Sequence, residues 1–122
     1  TAKEIDEIGI VPALRLAFIR AFDELTIKPD HMILDGKHNW IAPFDVPVTM
    51  KVKADAHCGV VAAASVIAKV TRDNEMALLD ALHPEFGWKS NVGYGAAVHL
   101  DAIRQLGPTE YHRQSWNLPT RL

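Results

Sequence analysis

Leu14, Ala17, Phe18, Ala21, Phe22 and Leu25 recur at intervals of three and four, while Arg15, Arg20, Asp23 and Glu24 fall largely off that stripe. The spacing predicts an amphipathic helix over 11–25 with one buried face, and Pro12 suits its first turn. A short helical turn over 3–10, closed by Gly9, precedes it. After the break at KPDH (28–31), MILDG (32–36) is an apolar run too brief for a helix, and it reads as a buried strand ending in Asp35. KHNWIAPFDVP (37–47) reads as loop, with Pro43 and Pro47 as breakers. In VTMKVKAD (48–55), Val48, Met50, Val52 and Ala54 alternate with Thr49, Lys51, Lys53 and Asp55, which predicts a half-exposed strand that also ends in an aspartate. Residues 58–83 read as one long helix. It is apolar nearly all round from Val60 to Ala68, as a helix inside a domain would be, then amphipathic with Met76, Leu79 and Leu82 inward. Pro84 stops it, HPEFGWKSNVGYG (83–95) forms an aromatic loop, and a last helix over 96–107 ends at Gly107. Two strands among helices indicate an α/β or α+β chain, and two strands alone make a poor sheet.

The 122 residues suffice for one modest core, and 48% hydrophobic with 23% charged residues is ordinary globular composition. No apolar run approaches the ~18 residues of a membrane span, and no signal-peptide pattern is visible. The single cysteine, Cys58, excludes an internal disulfide framework and fits a reducing compartment, so the cytoplasm is the expected location. A formal charge of −2 argues mildly against a duplex-binding face. The chain starts at Thr1 rather than Met, as a processed product or a fragment would.

A carboxylate at the end of a buried strand sits on the rim of the sheet, where α/β proteins place their sites. If their strands are neighbours, Asp35 and Asp55 meet there, and two converging carboxylates need a proton or a divalent cation between them. Oxygen ligands suit Mg²⁺ or Mn²⁺. The plainer alternative makes Asp35 the start of an Asp-Gly turn and Asp55 a helix cap. The six histidines show no zinc spacing, Cys58 reads as structural, and Ser65 as a small residue tolerated in a helix. Ser65, Lys69 and Arg72 share a helix side, either as a phosphate-contacting face or as a solvated face with Lys69 paired to Asp73. Tyr94, between glycines in NVGYG (91–95), either offers its ring for stacking on a base or sugar, or anchors the loop to the core.

The order of MILDG, KADAHCGVVAAASVIAKVTRD and HPEFGWKSNVGYGAAVHLDAIRQLGPTEYHRQSW resembles the bacterial type 2 ribonuclease H family, ribonuclease HII. EIDEIGIVPALRLAFIRAF is similar to that family's segment upstream of its third active-site aspartate. The resemblance implies a ribonuclease H-like α/β core, a mixed sheet flanked by helices, with a helical C-terminal extension. In this chain the core part would be 1–83 and the extension, with its aromatic substrate loop, 84–122. It implies a nuclease that cleaves the RNA strand of RNA–DNA hybrids and nicks 5′ of single ribonucleotides in duplex DNA. Four carboxylates would hold two divalent metals, Mg²⁺ or Mn²⁺. By the motif, Asp35 matches the third carboxylate and Asp55 the fourth, and Tyr94 matches the tyrosine that stacks at the ribonucleotide. Lys69 and Arg72 become substrate-contacting candidates on the same reading.

One departure stands out. The family's first two carboxylates form an Asp-Glu pair followed by Gly-Arg-Gly on an N-terminal strand. Here Asp6–Glu7 and Asp23–Glu24 are followed by Ile-Gly and Leu-Thr, and both lie in helical segments. The chain is therefore expected to be the C-terminal portion of such an enzyme, lacking two metal ligands and the first strands, so its fold is expected to be incomplete and the piece alone inactive. The missing N-terminal segment could be supplied as a separate chain. The alternative is a non-catalytic module that binds nucleic acid or protein through the aromatic loop, with Trp88 and Tyr94 exposed.

Overall fold

The computed structural model describes residues 1–119 as a mixed α/β chain with the element order α1 (Ala2–Ile8), α2 (Ile10–Glu24), β1 (Met32–Asp35), β2 (Val48–Lys51), α3 (Ala54–His57), α4 (Gly59–Leu82), α5 (Trp88–Asn91) and α6 (Ala97–Leu106). A single 3₁₀ turn, Pro84–Phe86, joins α4 to α5. Among the described residues the chain folds as two compact units, one of residues 7–66 and one of residues 1–6 together with those from 67 onward.

In the unit spanning 7–66, β1 and β2 are neighbours and run parallel, with Met32 opposite Val48 and Asp35 opposite Lys51. A parallel pair brings both C-terminal ends to one edge. The alternating pattern past Lys51 does not continue as strand: Val52 and Lys53 form a turn, Lys53 takes a left-handed backbone (φ 54°), and Ala54 starts α3. Asp55 therefore lies in the first turn of a helix rather than at a strand end. Helix α2 is positioned by its rings. Phe18 and Phe22 pack edge-on against Phe44 at 5.0 and 4.8 Å, and Phe18 meets Trp40 at 6.2 Å. Its apolar face is less covered than its periodicity predicts, since Leu14 and Leu25 stay exposed. Lys28 closes the helix: its Nζ donates to the carbonyls of Phe22 and Asp23 at 2.5 and 3.0 Å and lies 4.8 Å from the Phe22 ring centre. An ammonium there satisfies terminal carbonyls and opposes the helix dipole.

The second unit is built around aromatic residues. Met76, Phe86, Trp88, Ala102 and Ile103 form its core, with Leu79, Val92 and Leu118 packed against them. Phe86 and Trp88 stack with their planes 14° apart. Trp88 is thus an interior residue, only 2% exposed, and not a surface ring; the glycine beside it, Gly87, turns the chain inward. Of the inward positions expected on α4, Met76 is buried and Leu79 half-buried, but Leu82 is 67% exposed. A long-range clasp also belongs to this unit. The Asp6 carboxylate accepts from the backbone N–H of Gln114 and Ser115 and from the Ser115 hydroxyl, and these bonds hold its pKa below the usual carboxylate value.

The apolar first half of α4 is not interior. Val60 is 76% exposed, and Val66, Ile67 and Val70 are also open to solvent. Apolar composition predicts burial, but burial needs a covering element, and the described residues do not cover this face.

Candidate functional site

The residues singled out from the sequence fall in two groups, one in each compact unit. The first is the edge where β1 and β2 end. Asp35 closes β1, and its Oδ1 accepts the Ala54 backbone N–H at 3.0 Å. Ala54 is fully buried, and Asp55 follows it, exposed, in the first turn of α3. A carboxylate on the first N–H of a helix satisfies a donor that has no partner within the helix. Asp35 thus orients the turn that carries Asp55, and the two aspartates belong to one edge of the structure. Gly36 follows with φ +117°, a backbone state that side chains rarely adopt, while space for a Cβ is open. Its conformation, rather than the room it leaves, requires glycine. The Gly36 N–H donates to the Lys51 carbonyl, which extends the strand pairing by one step.

These donors suit a hard divalent cation such as Mg²⁺, which binds through one or two carboxylates and completes its shell with water and phosphate oxygens. Among the described residues no cluster of three or more His, Cys, Asp or Glu is placed to hold a metal. His38, beyond the Asp-Gly step, is exposed.

The second group surrounds NVGYG. The Tyr94 ring is 72% exposed, so it does not anchor the loop to the core. The loop is held by its backbone instead. Arg72 donates to the Val92 carbonyl at 3.1 Å, and Asn91 Oδ1 accepts the Gly93 N–H at 2.9 Å. Val92 and Gly93 both have positive φ, 44° and 81°. A Cβ on Gly93 would come within 3.2 Å of Met76 and 3.4 Å of Arg72, so glycine serves both the turn and the close approach. Lys69 pairs with Asp73 at 2.5 Å on the exposed side of α4, as the salt-bridged reading of that face expects. Ser65 donates to the Ala62 carbonyl within the helix, and Cys58 is a half-buried free thiol.

Behind Tyr94 lies a feature that sequence reasoning missed, a buried histidine pair. His99 and His112 are 6% and 7% exposed, with their Nε2 atoms 3.0 Å apart. The two residues lie 13 apart in sequence on different segments, so no spacing rule signals them. Burial, reinforced by the neighbouring His99, lowers the His112 pKa from 6.5 to about 4. The folded protein therefore binds this proton less well than the unfolded chain. Its contribution to stability is full above about pH 6.5 and is lost as pH falls toward 4, by on the order of 3 kcal/mol. Thermal melts between pH 7 and pH 4 should show this decline, and His112→Gln should flatten it.

The chain is a mixed α/β structure in which Asp35 ends one of two parallel strands, its carboxylate accepts the N–H of the residue before Asp55, and Tyr94 stands exposed in a glycine-flanked loop. The family model described as Ribonuclease HII matches residues 1–118, and the chain belongs to that family. Relatives named Ribonuclease HII include that of Streptomyces avermitilis, 50% identical over 115 residues that cover 93% of this chain and 48% of that protein. The protein of Streptomyces coelicolor is 49% identical over 115 residues, covering 93% of this chain and 48% of the relative. That of Paramagnetospirillum magneticum is 47% identical over 116 residues, covering 95% and 57%. The chain spans about half the length of the curated relatives it matches. No helix of the described residues is long and apolar enough to cross a membrane.

Proposed function

We propose that these residues form part of a metal-dependent endonuclease that cuts the RNA strand of RNA–DNA hybrids and nicks 5′ of single ribonucleotides in duplex DNA. The observation that supports this reading is the bond from the Ala54 N–H, next in sequence to Asp55, to the carboxylate of Asp35, in a chain of the ribonuclease HII family. Asp35 and Asp55 would hold Mg²⁺ or Mn²⁺. When bound, such ions lower the pKa of a water nucleophile and stabilise charge on the departing oxygen. Tyr94 offers an exposed ring, on a loop whose backbone is hydrogen-bonded by Arg72 and Asn91, for stacking at the ribonucleotide, and stacking tolerates any base. Arg72 serves this contact through the Val92 carbonyl, and Lys69 stays a candidate phosphate contact that would have to leave Asp73.

The remaining ligands and strands of a ribonuclease H-like mixed sheet would come from sequence outside these 122 residues, in the same polypeptide or as a separate chain, and the greater length of the relatives supports this. The site of action would be the cytoplasm. A duplex DNA carrying one ribonucleotide, incubated with Mg²⁺ or Mn²⁺, tests the proposal. The intact protein containing this sequence should nick it, and the 122-residue chain alone should not. An intact protein that binds such duplexes yet never cuts them would instead favour the binding-module reading.

A further inference from the structure

We propose that His99, fixed in one tautomer by His112 and Trp88, is a positioning residue for Tyr94. The inference rests on the reading of Tyr94 as a substrate contact.

The hydrogen bonds define each ring. The Tyr94 carbonyl faces His99 Nδ1 at 2.8 Å, and a carbonyl only accepts, so Nδ1 carries the proton. In the neutral ring, Nε2 of His99 is then an acceptor, and it receives the Trp88 indole N–H at 3.3 Å. On His112, Nδ1 accepts the Thr109 backbone N–H at 3.0 Å, so its Nε2 carries the proton and points at His99 Nε2. The single lone pair of His99 Nε2 faces the His112 N–H at 3.0 Å and is shared with the Trp88 N–H at the longer 3.3 Å. The donors therefore run in one direction, from Thr109 through His112 and His99 to the Tyr94 carbonyl.

That carbonyl also accepts the Ala96 N–H at 2.8 Å, so both its lone pairs are used. With Arg72 on the Val92 carbonyl, the backbone on each side of Tyr94 is held while the ring stays in solvent. A ring carried on a fixed backbone loses less freedom when a base stacks on it, which is how preorganisation raises affinity. His99 itself is buried, and its hydrogen bond to Tyr94 is made through this carbonyl.

Two variants separate positioning from packing, because asparagine places an amide N–H where Nδ1 stood and glutamine places its amide where Nε2 stood. In the intact protein, His99→Gln should weaken binding of a duplex containing one ribonucleotide about tenfold, the size of one hydrogen bond, while His99→Asn stays within twofold. Adding His99→Gln to Tyr94→Ala should bring no further loss. Amide hydrogen exchange at Ala96 should quicken about tenfold in His99→Gln and stay near the parent rate in His99→Asn. Equal exchange and binding in the two variants, or a full tenfold loss on top of Tyr94→Ala, would overturn the proposal. If Tyr94→Ala binds as tightly as the parent, the substrate reading of Tyr94 fails, and the exchange contrast alone decides whether His99 positions the loop.

Discussion

Trp88→Ala is expected to destabilise the C-terminal unit by about 3–5 kcal/mol, the range for truncating a buried large aromatic. Three losses add up at this position. The indole leaves a cavity beside Phe86, whose ring it stacks on at 5.0 Å. The buried His99 Nε2 loses one of its donors. The turn at Gly87, which carries Trp88 inward, loses the contact that fixes it. A small domain is stable by only 5–15 kcal/mol in all, so such a loss takes the unit close to unfolding at 37 °C. Urea denaturation followed by circular dichroism measures it. Trp88→Phe, which keeps one ring against Phe86 while dropping the N–H and the second ring, should lose less than half as much. A change under 1 kcal/mol for Trp88→Ala would show that the aromatic cluster is not the core of this unit.

Asp35→Asn should lower cleavage by the intact protein about 10²-fold or more while leaving the fold in place. Groups that merely orient metal ligands are worth 10- to 100-fold, and a ligand itself is worth at least that. The substitution is close to isosteric, and the amide oxygen can still accept the Ala54 N–H, so α3 should remain docked. Asp35→Ala removes the acceptor as well and should add about 1 kcal/mol of instability, as loss of a helix cap does. Asp55→Asn should lose activity without that structural penalty. Nicking rates measured beside thermal melts separate the two roles. Undiminished cleavage in both Asn variants would remove these aspartates from the chemistry.

The regular elements were legible because local pattern decides them. The three-to-four residue spacing of α4 and α6, with Pro84 and Gly107 at their ends, needs no partner to be read. Asp35 at the end of β1 was legible for the same reason. Asp55 was misplaced because Val52 and Lys53 continue a period of two that the backbone breaks at a left-handed Lys53, and side-chain pattern says nothing of that dihedral. Trp88 reads as exposed because it lies in a polar, glycine-bearing loop, yet the loop folds onto its own rings. The Asp6 clasp joins positions 109 apart, and the histidine pair joins a helix to an irregular segment. Both depend on tertiary placement. The apolar half of α4 reads as interior from its composition, yet it is exposed among the described residues, because burial needs a covering element that local pattern does not reveal.

That open surface also bears on how long the polypeptide would last unaided. Exposed apolar surface makes a chain prone to association and draws chaperones and proteases to it. A folded chain showing Val60, Val66, Ile67 and Val70 to water would be treated as immature despite its intact aromatic core. Its lifetime in a cell would then be set by how soon those four residues are covered.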